Sequence, residues 1–594
     1  MKVYKYYIFD FDMTICDTAK GSGLAYKKAF EHFGFEFHDE DVKQFLGEPL
    51  RVSFDRANTK GISFDVFEPY FYDCSDELIP ENAIYFADAK ELIDTLKSNK
   101  KPMAIVTNKN RTTLTLILEK FGLENDFQHI LSVEDIRQIK DGAEKGDGII
   151  ECLKRFNVSS KKEVIYIGDA QNDINAANHA EVDYICVPRN SSTNIEGKTW
   201  DSLTYLSVPL LLEDLLNPQL KYHNKFDIKK TFNKGALIQS IISTHGKYRR
   251  GPKVEEKTLE DIRKKVDDAI ANKRPISFSV PFGAYKGWQI NSSKGLPDWG
   301  EIFNLEYYYG YAQEIANNYE YGVTIYYTYQ NKLMSYISNR PFDVLTDYAA
   351  VYEKLLEKYS SFNEKIKFKL ISINDLYSND EAYFGEFVEN LFDKILDIVT
   401  NLYDGDNAKT PYKHFVDLML SGNTNEAFDM VHNSSHSILC KLQSGINNYC
   451  ITGYNEKTDF SEKSEKEKLM RGIVSAVMID AVDSLKLRRQ FNKFTQNIQL
   501  VFDKKPALSL FVGATKSSVK SFWTGTGVLI KDGEEIKHTI ISQKEWQDMK
   551  NGNAIKISGG SVEKKYKIET LPVICAISDI CDNYKYINIL IPTI

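Results

Sequence analysis

The sequence predicts an α/β protein made of two successive domains. The chain has 594 residues, which is too many for a single hydrophobic core. Through its first third, short apolar runs alternate with amphipathic helical patterns, as in a parallel sheet with crossover helices. The composition turns polar after Pro188. We therefore expect a first domain at 1–214, a linker at 215–232 and a larger α/β domain at 233–594.

The first domain follows a regular order of elements. Strands are predicted at "KYYIFDF", "KPMAIVTNK", "EVIYIGD" and "VDYICVP". Helices are predicted at "SGLAYKKAFEHFG", "AKELIDTLKSNK", "TTLTLILEKFGL" and "GDGIIECLKRFNV". A mainly helical insertion, a candidate cap, lies between Asp17 and about Tyr85. Ligands of parallel sheets gather at the carboxyl ends of the strands, so polar residues at those ends are candidate site residues.

The second domain is predicted to be α/β and Rossmann-like, with a β-rich end. Helical periods at "KGALIQSIIST" and "LEDIRKKVDDAIANK" precede a strand at "RPISFSVPF". The long helix "EIFNLEYYYGYAQEIANNY" is followed by the β-rich run "YGVTIYYTY". More helices are expected across 340–500, and strands and an Asp-Gly hairpin across about 500–594. The "EYYYGY" segment predicts core packing with one solvated edge, the alternative being a pocket for an aromatic substrate.

Composition excludes several classes of protein. The formal net charge of −8 argues against a general nucleic-acid binder, which usually has a basic excess. The 8 cysteines contain no CxxC pair, and this favours reduced thiols over a disulfide framework or a zinc site. Neither a signal peptide nor an apolar run of about 18 residues is apparent. We therefore expect a cytoplasmic protein with no membrane span.

Polar residues follow the predicted strands of the first domain. Asp10, Asp12 and Thr14 form the pattern DxDxT after the first strand, and Thr107 and Asn108 follow the second. Lys145 comes before a helix, and "GDAQND" contains Asp169 and Asp173. This order and spacing resemble the haloacid dehalogenase-like phosphatases over roughly residues 1–210. The resemblance implies a Rossmannoid parallel sheet with a helical cap.

The resemblance also implies a reaction through an aspartyl phosphate. Asp10 would be the nucleophile, and Asp12 would act as general acid and then as general base. Mg²⁺ would be held by Asp10, the carbonyl of Asp12 and Asp169. Asp173 would reach the metal indirectly or through water. Thr107 and the amide of Asn108 would hold the phosphoryl oxygens, and Lys145 would balance their negative charge.

Departures and alternatives concern three positions. Lys145 is followed by Gly146 where this family usually has proline, and Lys140 lies close by as the alternative lysine, although the alignment favours Lys145. Met13 stands where many relatives carry glycine. The insertion resembles the small helical cap of the phosphoglycolate phosphatase and phosphoglucomutase-like branch, which implies a small phosphorylated metabolite as substrate. Arg51, in "GEPLR", resembles a substrate-selecting cap residue, the alternative being a solvated helix residue.

Short pieces of the second domain resemble another family. "ANKRPISFSVPFGAYKGW", "LPDWGEIF", "RRQFNKF" and "FWTGTGVLIKDG" are similar to the isonitrile (isocyanide) synthases of pyoverdine and dityrosine biosynthesis, over about 233–540. The resemblance implies condensation of an amino acid's amine with a pentulose phosphate such as ribulose 5-phosphate. Lys286 and Arg488 would meet anionic groups. Asp298 and Glu301 would act as acid and base.

Each of these residues also has a purely structural interpretation. Asp298 and Glu301 have the spacing of a capping box at a helix start. Lys286 is equally an exposed loop lysine, and Arg488 a surface charge. His432 and His436 are four residues apart, but no acidic residue between them and no third ligand is evident, so a zinc site is not favoured.

Three hypotheses about function follow. The chain is an Mg²⁺-dependent phosphatase fused to a second enzyme of the same biosynthetic pathway, or a phosphatase fused to a non-catalytic binding or regulatory module. The third, a phosphatase fold that serves only as a sensor or scaffold, is disfavoured by the complete set of carboxylates at Asp10, Asp12, Asp169 and Asp173.

Overall fold

The computed structural model describes most of the chain in two compact units. The first comprises Met1–Leu212 and Asp532–Ile536, and the second comprises Glu213–Lys531 and Lys537–Ile594. Within them, the described residues are 1–35, 50–57, 60–189, 195–218, 234–244, 254–281, 286, 289–291, 295–329, 335, 342–372, 381–405, 410–432, 442, 446, 462–484, 491–493, 495–500, 525–533, 535–557 and 562–593.

The first unit is built on a five-stranded sheet. Its strands are β1 (Tyr6–Phe9), β4 (Met103–Val106), β5 (His129–Leu131), β6 (Val164–Gly168) and β7 (Asp183–Cys186). Their order is β5-β4-β1-β6-β7, and every neighbouring pair is parallel. A separate antiparallel ribbon pairs β2 (Cys16–Asp17) with β3 (Ile84–Tyr85). The α/β parallel sheet predicted for this region is therefore confirmed, and β5 is a strand that the sequence did not reveal.

Helices cover this sheet and form the insertion. They are α1 (Ala19–His32), α2 (Leu50–Ala57), α3 (Phe64–Asn82), α4 (Ala87–Ser98), α5 (Arg111–Phe121), α6 (Val133–Arg137), α7 (Lys145–Arg155), α8 (Gln171–Ala180) and α9 (Ser207–Leu216). The first three lie between the strands of the β2–β3 ribbon. We call α1–α3 the cap, because the ribbon marks where the chain leaves the sheet and returns to it.

The apolar strand sequences explain why this sheet is buried on both faces. Tyr7 and Phe9 belong to the core on one side of the sheet, together with the cap. Tyr6 and Ile8 belong to the core on the other side. Because alternate side chains of a strand point to opposite faces, a strand buried on both sides needs a continuous apolar run. The run "YYIF" meets that requirement, and its end is where polar residues begin.

Two helices of the cap approach each other closely. A Cβ atom placed on Gly21 of α1 would lie 2.6 Å from the Cα of Ile79 in α3. Only glycine fits at this crossing, since the obstacle is backbone. The same two helices share an aromatic core, in which the ring centroids of Tyr26 and Phe71 are 4.6 Å apart. The cap is therefore packed through its own core as well as against the sheet.

A buried ion pair fixes the end of the first unit. Asp88, near the start of α4, accepts hydrogen bonds from Arg189 at 2.8 and 3.0 Å. The backbone amide of Leu203 and the hydroxyl of Ser202 also donate to this carboxylate, at 2.9 and 3.2 Å. Four bonds to one buried carboxylate hold Arg189, Ser202 and Leu203 against α4.

The second unit contains two four-stranded sheets. The first has strands β8 (Ile276–Pro281), β9 (Val323–Tyr329), β10 (Ile366–Ser372) and β11 (Ile498–Gln499), in the order β10-β9-β8-β11 and all parallel. The second has β12 (Gly525–Asp532), β13 (Glu535–Ser542), β14 (Lys565–Pro572) and β15 (Tyr586–Thr593), in the order β13-β12-β15-β14. The predicted α/β class and the β-rich end agree with these sheets.

The helices of the second unit follow the predicted order closely. They are α10 (Lys234–Thr244), α11 (Glu256–Ala271), α12 (Trp299–Ala316), α13 (Phe342–Ser361), α14 (Glu381–Asp404), α15 (Pro411–Leu420), α16 (Thr424–His432), α17 (Glu465–Ser484) and α18 (Gln543–Lys550). The tyrosines of α12 are all buried, which confirms core packing, whereas the predicted solvated edge is wrong. None of the helices among the described residues is long and apolar enough to cross a bilayer.

Two strands interrupt the region that the sequence predicts as helical. β10 and β11 both lie within 340–500. The segment "IKFKLIS" alternates apolar residues with lysines, and Ile366 and Phe368 are buried while Lys367 and Lys369 are exposed. That period of two is the signature of a half-buried strand at the edge of a sheet.

Candidate active site

Two flanking strands bring the predicted site residues to one edge of the first sheet. Asp10 follows the central strand β1, and its amide donates to the carbonyl of Ile167 in β6 at 2.8 Å. Thr107 follows β4, and its amide donates to the carbonyl of Leu131 at 3.0 Å. Because β4 and β6 lie on either side of β1, residues that end these three strands become neighbours.

Lys145 lies between two buried carboxylates at this edge. Its Nζ is 2.7 Å from Oδ1 of Asp10 and 2.7 Å from Oδ1 of Asp173. Lys145 is the first residue of α7, so its side chain starts at the end of a helix next to the sheet. The alternative lysine, Lys140, pairs instead with Asp147 at 2.7 Å and is more than half exposed. The structure thus brings Lys145, and not Lys140, to the other site residues.

Asp173 is held by bonds to both of its carboxylate oxygens. Oδ2 accepts from the amides of Asp169 and Ala170 at 3.1 and 3.0 Å. Oδ1 accepts from the hydroxyl of Tyr166 at 3.3 Å in addition to Lys145. A Cβ on Gly168 would lie 2.3 Å from Cγ of Asp173, so the close approach of this carboxylate requires glycine there.

The carboxylates at this edge fit a divalent cation. Asp10, Asp169 and Asp173 each offer an oxygen within 4.8 Å of the others. Burial raises the pKa of Asp10 to about 7, with repulsion from Asp173 and Asp12 adding to the effect and Lys145 opposing it. Burial, together with repulsion from Asp173, Asp10 and Asp12, raises the pKa of Asp169 well above its usual value, and Lys145 opposes the effect. Three crowded carboxylates are the hard oxygen ligands that Mg²⁺ prefers, and a cation would favour their ionised forms.

The carboxylate of Asp12 has partners of its own. Its Oδ1 accepts from Thr18 Oγ1 at 2.5 Å and lies 2.9 Å from Nζ of Lys109. Lys109 is buried, which is unusual for a lysine. The sequence analysis missed both Lys109 and Thr18. The available signal for Lys109 was its place directly after Thr107 and Asn108 at a strand end.

A cavity of about 90 Å³ connects these residues with the cap. The sheet-side wall consists of Asp10, Asp12, Thr107, Asn108, Lys109, Asn110 and Lys145. The cap wall consists of Ser22, Tyr26, Leu50, Phe71, Tyr72, Ser75 and Ile79. Arg51 is not in this lining. Its side chain is exposed. Nε of Arg51 is 3.0 Å from Oδ2 of Asp55, and Cζ of Arg51 is 4.8 Å from the ring centroid of Phe64.

The structure also brings together three residues singled out in the second unit. Nζ of Lys286 is 2.8 Å from Oδ1 of Asp298 and 2.9 Å from Oε2 of Glu301. The side chain of Lys286 is 0% exposed, so the interpretation as an exposed loop lysine is wrong. Asp298 caps α12, and its amide donates to Glu301 at 2.8 Å, which confirms the capping box. Arg488 lies outside the described residues.

Further bonds close this second cluster. The Tyr348 hydroxyl donates to Oε1 of Glu301 at 2.6 Å, and the Thr526 hydroxyl donates to Oδ2 of Asp298 at 2.5 Å. Burial raises the pKa of Glu301 to about 7, against the opposing charge of Lys286. The cluster therefore combines a structural cap with a carboxyl group that titrates near neutrality. His436, the second member of the pair with His432, lies outside the described residues.

Comparisons with known proteins concern the first unit. Residues 7–187 match the family described as haloacid dehalogenase-like hydrolase. Pyrophosphatase PpaX of Bacillus velezensis is 27% identical over 196 residues, which are 32% of this chain and 82% of that protein. Phosphoglycolate phosphatase of Colwellia psychrerythraea is 25% identical over 192 residues, covering 30% of this chain and 81% of that protein.

Solved structures are also similar to a part of this chain. A haloacid dehalogenase-like hydrolase from Streptococcus pneumoniae has 22% identity and a TM-score of 0.27, covering 31% of this chain and 84% of its own. CbbY from Rhodobacter sphaeroides, in complex with xylulose-1,5-bisphosphate, has 18% identity and a TM-score of 0.30, covering 34% of this chain and 95% of its own. The resemblance of the second unit to isonitrile synthases finds no support in these comparisons.

Proposed function

We propose that the N-terminal region, which is a haloacid dehalogenase-like phosphatase domain, hydrolyses small phosphomonoesters through an aspartyl phosphate on Asp10 and depends on Mg²⁺. The observation that carries this proposal is the common pocket of Asp10 and Asp12, with Lys145 at 2.7 Å from the Asp10 carboxylate. A nucleophile, a second carboxyl group and a positive charge thus line one cavity of about 90 Å³.

The residues of the sheet-side wall other than Asn110 have roles in this reaction. Asp10 attacks the phosphorus atom and forms the covalent intermediate. Asp12 protonates the leaving oxygen, and then takes a proton from the water that hydrolyses the intermediate. Thr18 and Lys109 hold the Asp12 carboxylate in place at 2.5 and 2.9 Å. Thr107 and the Asn108 amide hold the phosphoryl oxygens.

The roles of Lys145, Asp169 and Asp173 follow from the charge balance of the reaction. A carboxylate that attacks a phosphate dianion meets repulsion, and Mg²⁺, when bound by Asp10, the Asp12 carbonyl and Asp169, would offset it. Lys145 supplies a fixed positive charge beside the nucleophile. Asp173 positions Lys145 through its 2.7 Å contact and is itself held by two backbone amides.

The test of this proposal is a hydrolysis assay on the full chain. Release of p-nitrophenol from p-nitrophenyl phosphate is measured with and without Mg²⁺, for the wild type, Asp10→Asn and Asp55→Asn. We expect Asp10→Asn to lose at least about a thousandfold in kcat, the order seen when a nucleophile is removed. The exposed Asp55 lies outside the pocket lining and serves as the control that stays active. Activity that survives Asp10→Asn would reject the proposal.

Metal binding has a readout that does not depend on activity. A ligand at 100 times its Kd stabilises the folded state by about 2.7 kcal/mol. Mg²⁺ should therefore raise the unfolding temperature of the wild type, and much less that of Asp169→Asn. An equal shift in both proteins would place the cation elsewhere.

A second candidate function concerns the second unit, for which we propose condensation of an amino acid's amine with a pentulose phosphate such as ribulose 5-phosphate. The observation that favours it is the buried cluster of Lys286, Asp298 and Glu301 after strand β8, where parallel sheets bind ligands. Both units would then serve one pathway, with the first removing a phosphate from a product or by-product of the second.

The two interpretations of the second unit predict different outcomes of one experiment. Full-length Asp10→Asn, which cannot consume the sugar phosphate, is incubated with amino acids and ribulose 5-phosphate and followed by mass spectrometry. An amino acid that gains one carbon and loses two hydrogens supports the synthase, and the same chain carrying Glu301→Gln should then lose the product. Binding of a ligand without turnover would support a binding or regulatory module instead.

A further inference from the structure

We propose that the pocket of the first unit selects phosphomonoesters whose leaving group is a small, uncharged alcohol. This inference rests on the phosphatase function proposed above and specifies its substrate class. The two walls of the pocket differ in charge, and that difference carries the inference.

The positive charges of the pocket lie on the sheet side. Lys145 is 2.7 Å from Asp10, and Lys109 is 2.9 Å from Asp12. Both ammonium groups therefore flank the two carboxylates at which the phosphoryl group must bind. Neither lysine is placed to receive a second anionic group at the far end of a substrate.

The cap wall is made of aromatic, aliphatic and hydroxyl side chains. The rings of Tyr26 and Phe71 pack together with centroids 4.6 Å apart. The hydroxyl of Tyr72 donates to Glu68 at 3.0 Å, and that of Ser75 donates to the carbonyl of Phe71 at 2.8 Å. These two hydroxyl protons are already used, so what Tyr72 and Ser75 offer a ligand is apolar surface and oxygen acceptors.

The described part of this wall offers an anionic leaving group no counter-charge. Among the lining residues that the structure describes, none on the cap side is basic. Arg51, in the cap helix that supplies Leu50, is exposed and paired with Asp55. Transfer of a carboxylate or a second phosphate from water to an apolar wall without a partner is strongly unfavourable, whereas an alcohol meets aromatic rings and acceptors.

The cavity lies between the sheet-side wall and the cap wall, so the leaving group of a phosphate ester bound at Asp10 faces the cap residues. The described cap wall thus suits the monophosphate of a small polyol or similar alcohol.

The sharpest test compares two substrates that differ in charge and hardly in size. In 2-phosphoglycolate the phosphate is linked to a CH₂ bearing a carboxylate, and in 2-hydroxyethyl phosphate to a CH₂ bearing CH₂OH. We expect the full chain, with Mg²⁺, to hydrolyse 2-hydroxyethyl phosphate with a kcat/KM at least about tenfold higher. Pyrophosphate, whose leaving group is also an anion, should rank with 2-phosphoglycolate.

A matched pair of variants tests whether the cap wall is responsible. Leu50→Lys adds a positive charge at a partly exposed residue that lines the pocket. Val52→Lys adds the same charge two residues away, at an exposed residue outside the described lining. Leu50→Lys should shift the kcat/KM ratio toward 2-phosphoglycolate by about fivefold or more, and Val52→Lys should leave the ratio unchanged.

The outcomes separate this inference from the proposed function. Equal or better hydrolysis of 2-phosphoglycolate or pyrophosphate by the wild type would overturn the inference and leave the phosphatase intact. The inference would also be overturned if Leu50→Lys left the ratio of the two kcat/KM values unchanged, because the charge of the cap wall would then not affect substrate selection. If neither ester nor p-nitrophenyl phosphate is hydrolysed, the phosphatase function itself fails.

Discussion

Replacement of Lys145 by methionine should destabilise the first unit and abolish its activity. Methionine keeps most of the length of the side chain and removes the ammonium group. Two buried carboxylates, Asp10 and Asp173, then lose the charge that lies 2.7 Å from each of them. The change therefore isolates the electrostatic part of the lysine's contribution from its packing.

The size of the loss follows from the burial of the cluster. Removal of one partner of a buried ion pair costs about 3–5 kcal/mol, because the other charge is left uncompensated. The side chain of Lys145 is 11% exposed, so some water reaches the cluster. We therefore expect a decrease in the free energy of unfolding near the lower limit, about 3 kcal/mol. Mg²⁺ should restore part of it, since the cation compensates the same carboxylates.

Hydrogen exchange measures this loss within the full chain. Amides of β1, β4 and β6 exchange through unfolding of the first unit, and a loss of about 3 kcal/mol should accelerate their exchange about a hundredfold. Lys140→Met is the matched control, because Lys140 pairs with Asp147 at the surface and such pairs are worth about 0–1 kcal/mol. Equal acceleration by Lys145→Met and Lys140→Met would refute the reasoning.

Three further substitutions have defined outcomes. A glycine-to-alanine change in a helix ordinarily stabilises it by about 1 kcal/mol. Gly21→Ala should instead destabilise the cap by about 1–3 kcal/mol, because the new Cβ would lie 2.6 Å from the Cα of Ile79. A stabilising effect of Gly21→Ala in urea unfolding would exclude this close approach. Burial raises the pKa of Asp88, but the bonds and charge of Arg189 outweigh it and the pKa is lowered. The stabilisation from Asp88 is thus present above about pH 4 and is lost as the pH falls through its folded pKa, so the stability difference between wild type and Asp88→Asn should shrink in acid. Lys286→Met should cost the second unit about 3–5 kcal/mol by thermal unfolding, and a loss below about 1 kcal/mol would contradict the buried pairing.

The sequence was sufficient to predict the edge at which the candidate site lies. Parallel topology puts the carboxyl ends of neighbouring strands together, so Asp10, Thr107 and Asp169 meet once their strands are identified. Met13 is a finer case. Its φ of +56° lies in the left-handed region that favours glycine, so this backbone turn is kept with a non-glycine residue.

The sequence was not sufficient to predict which cap residue faces the pocket. Arg51 was chosen from a motif, but successive residues of a helix point about 100° apart. Leu50 lines the cavity, and Arg51 therefore turns away toward Asp55, four residues on along the same helix. Lys109 was missed for a related reason. Its pairing with Asp12 depends on the direction of a long side chain, which residue spacing does not encode.

Long-range contacts set the limit in the second unit. Lys286 and Asp298 are close in sequence, but the burial of their cluster depends on Thr526, which donates to Asp298 across 228 positions of the chain. A local pattern distinguishes a capping box from a loop. It does not reveal whether the lysine before that box is covered by a distant strand.

Among the described residues, each unit has a buried lysine between two carboxylates, and the surroundings of each cluster determine its chemistry. Lys145 lines a cavity, so a phosphoryl group can approach its ammonium without displacing a protein group. Lys286 is 0% exposed, and the carboxylates of Asp298 and Glu301 both contact its ammonium. An anionic substrate could reach Lys286 only by taking the place of one carboxylate. Chemistry at the second cluster therefore requires a rearrangement of its carboxylates, whereas the first cluster already lines the cavity in which the substrate would bind with Mg²⁺.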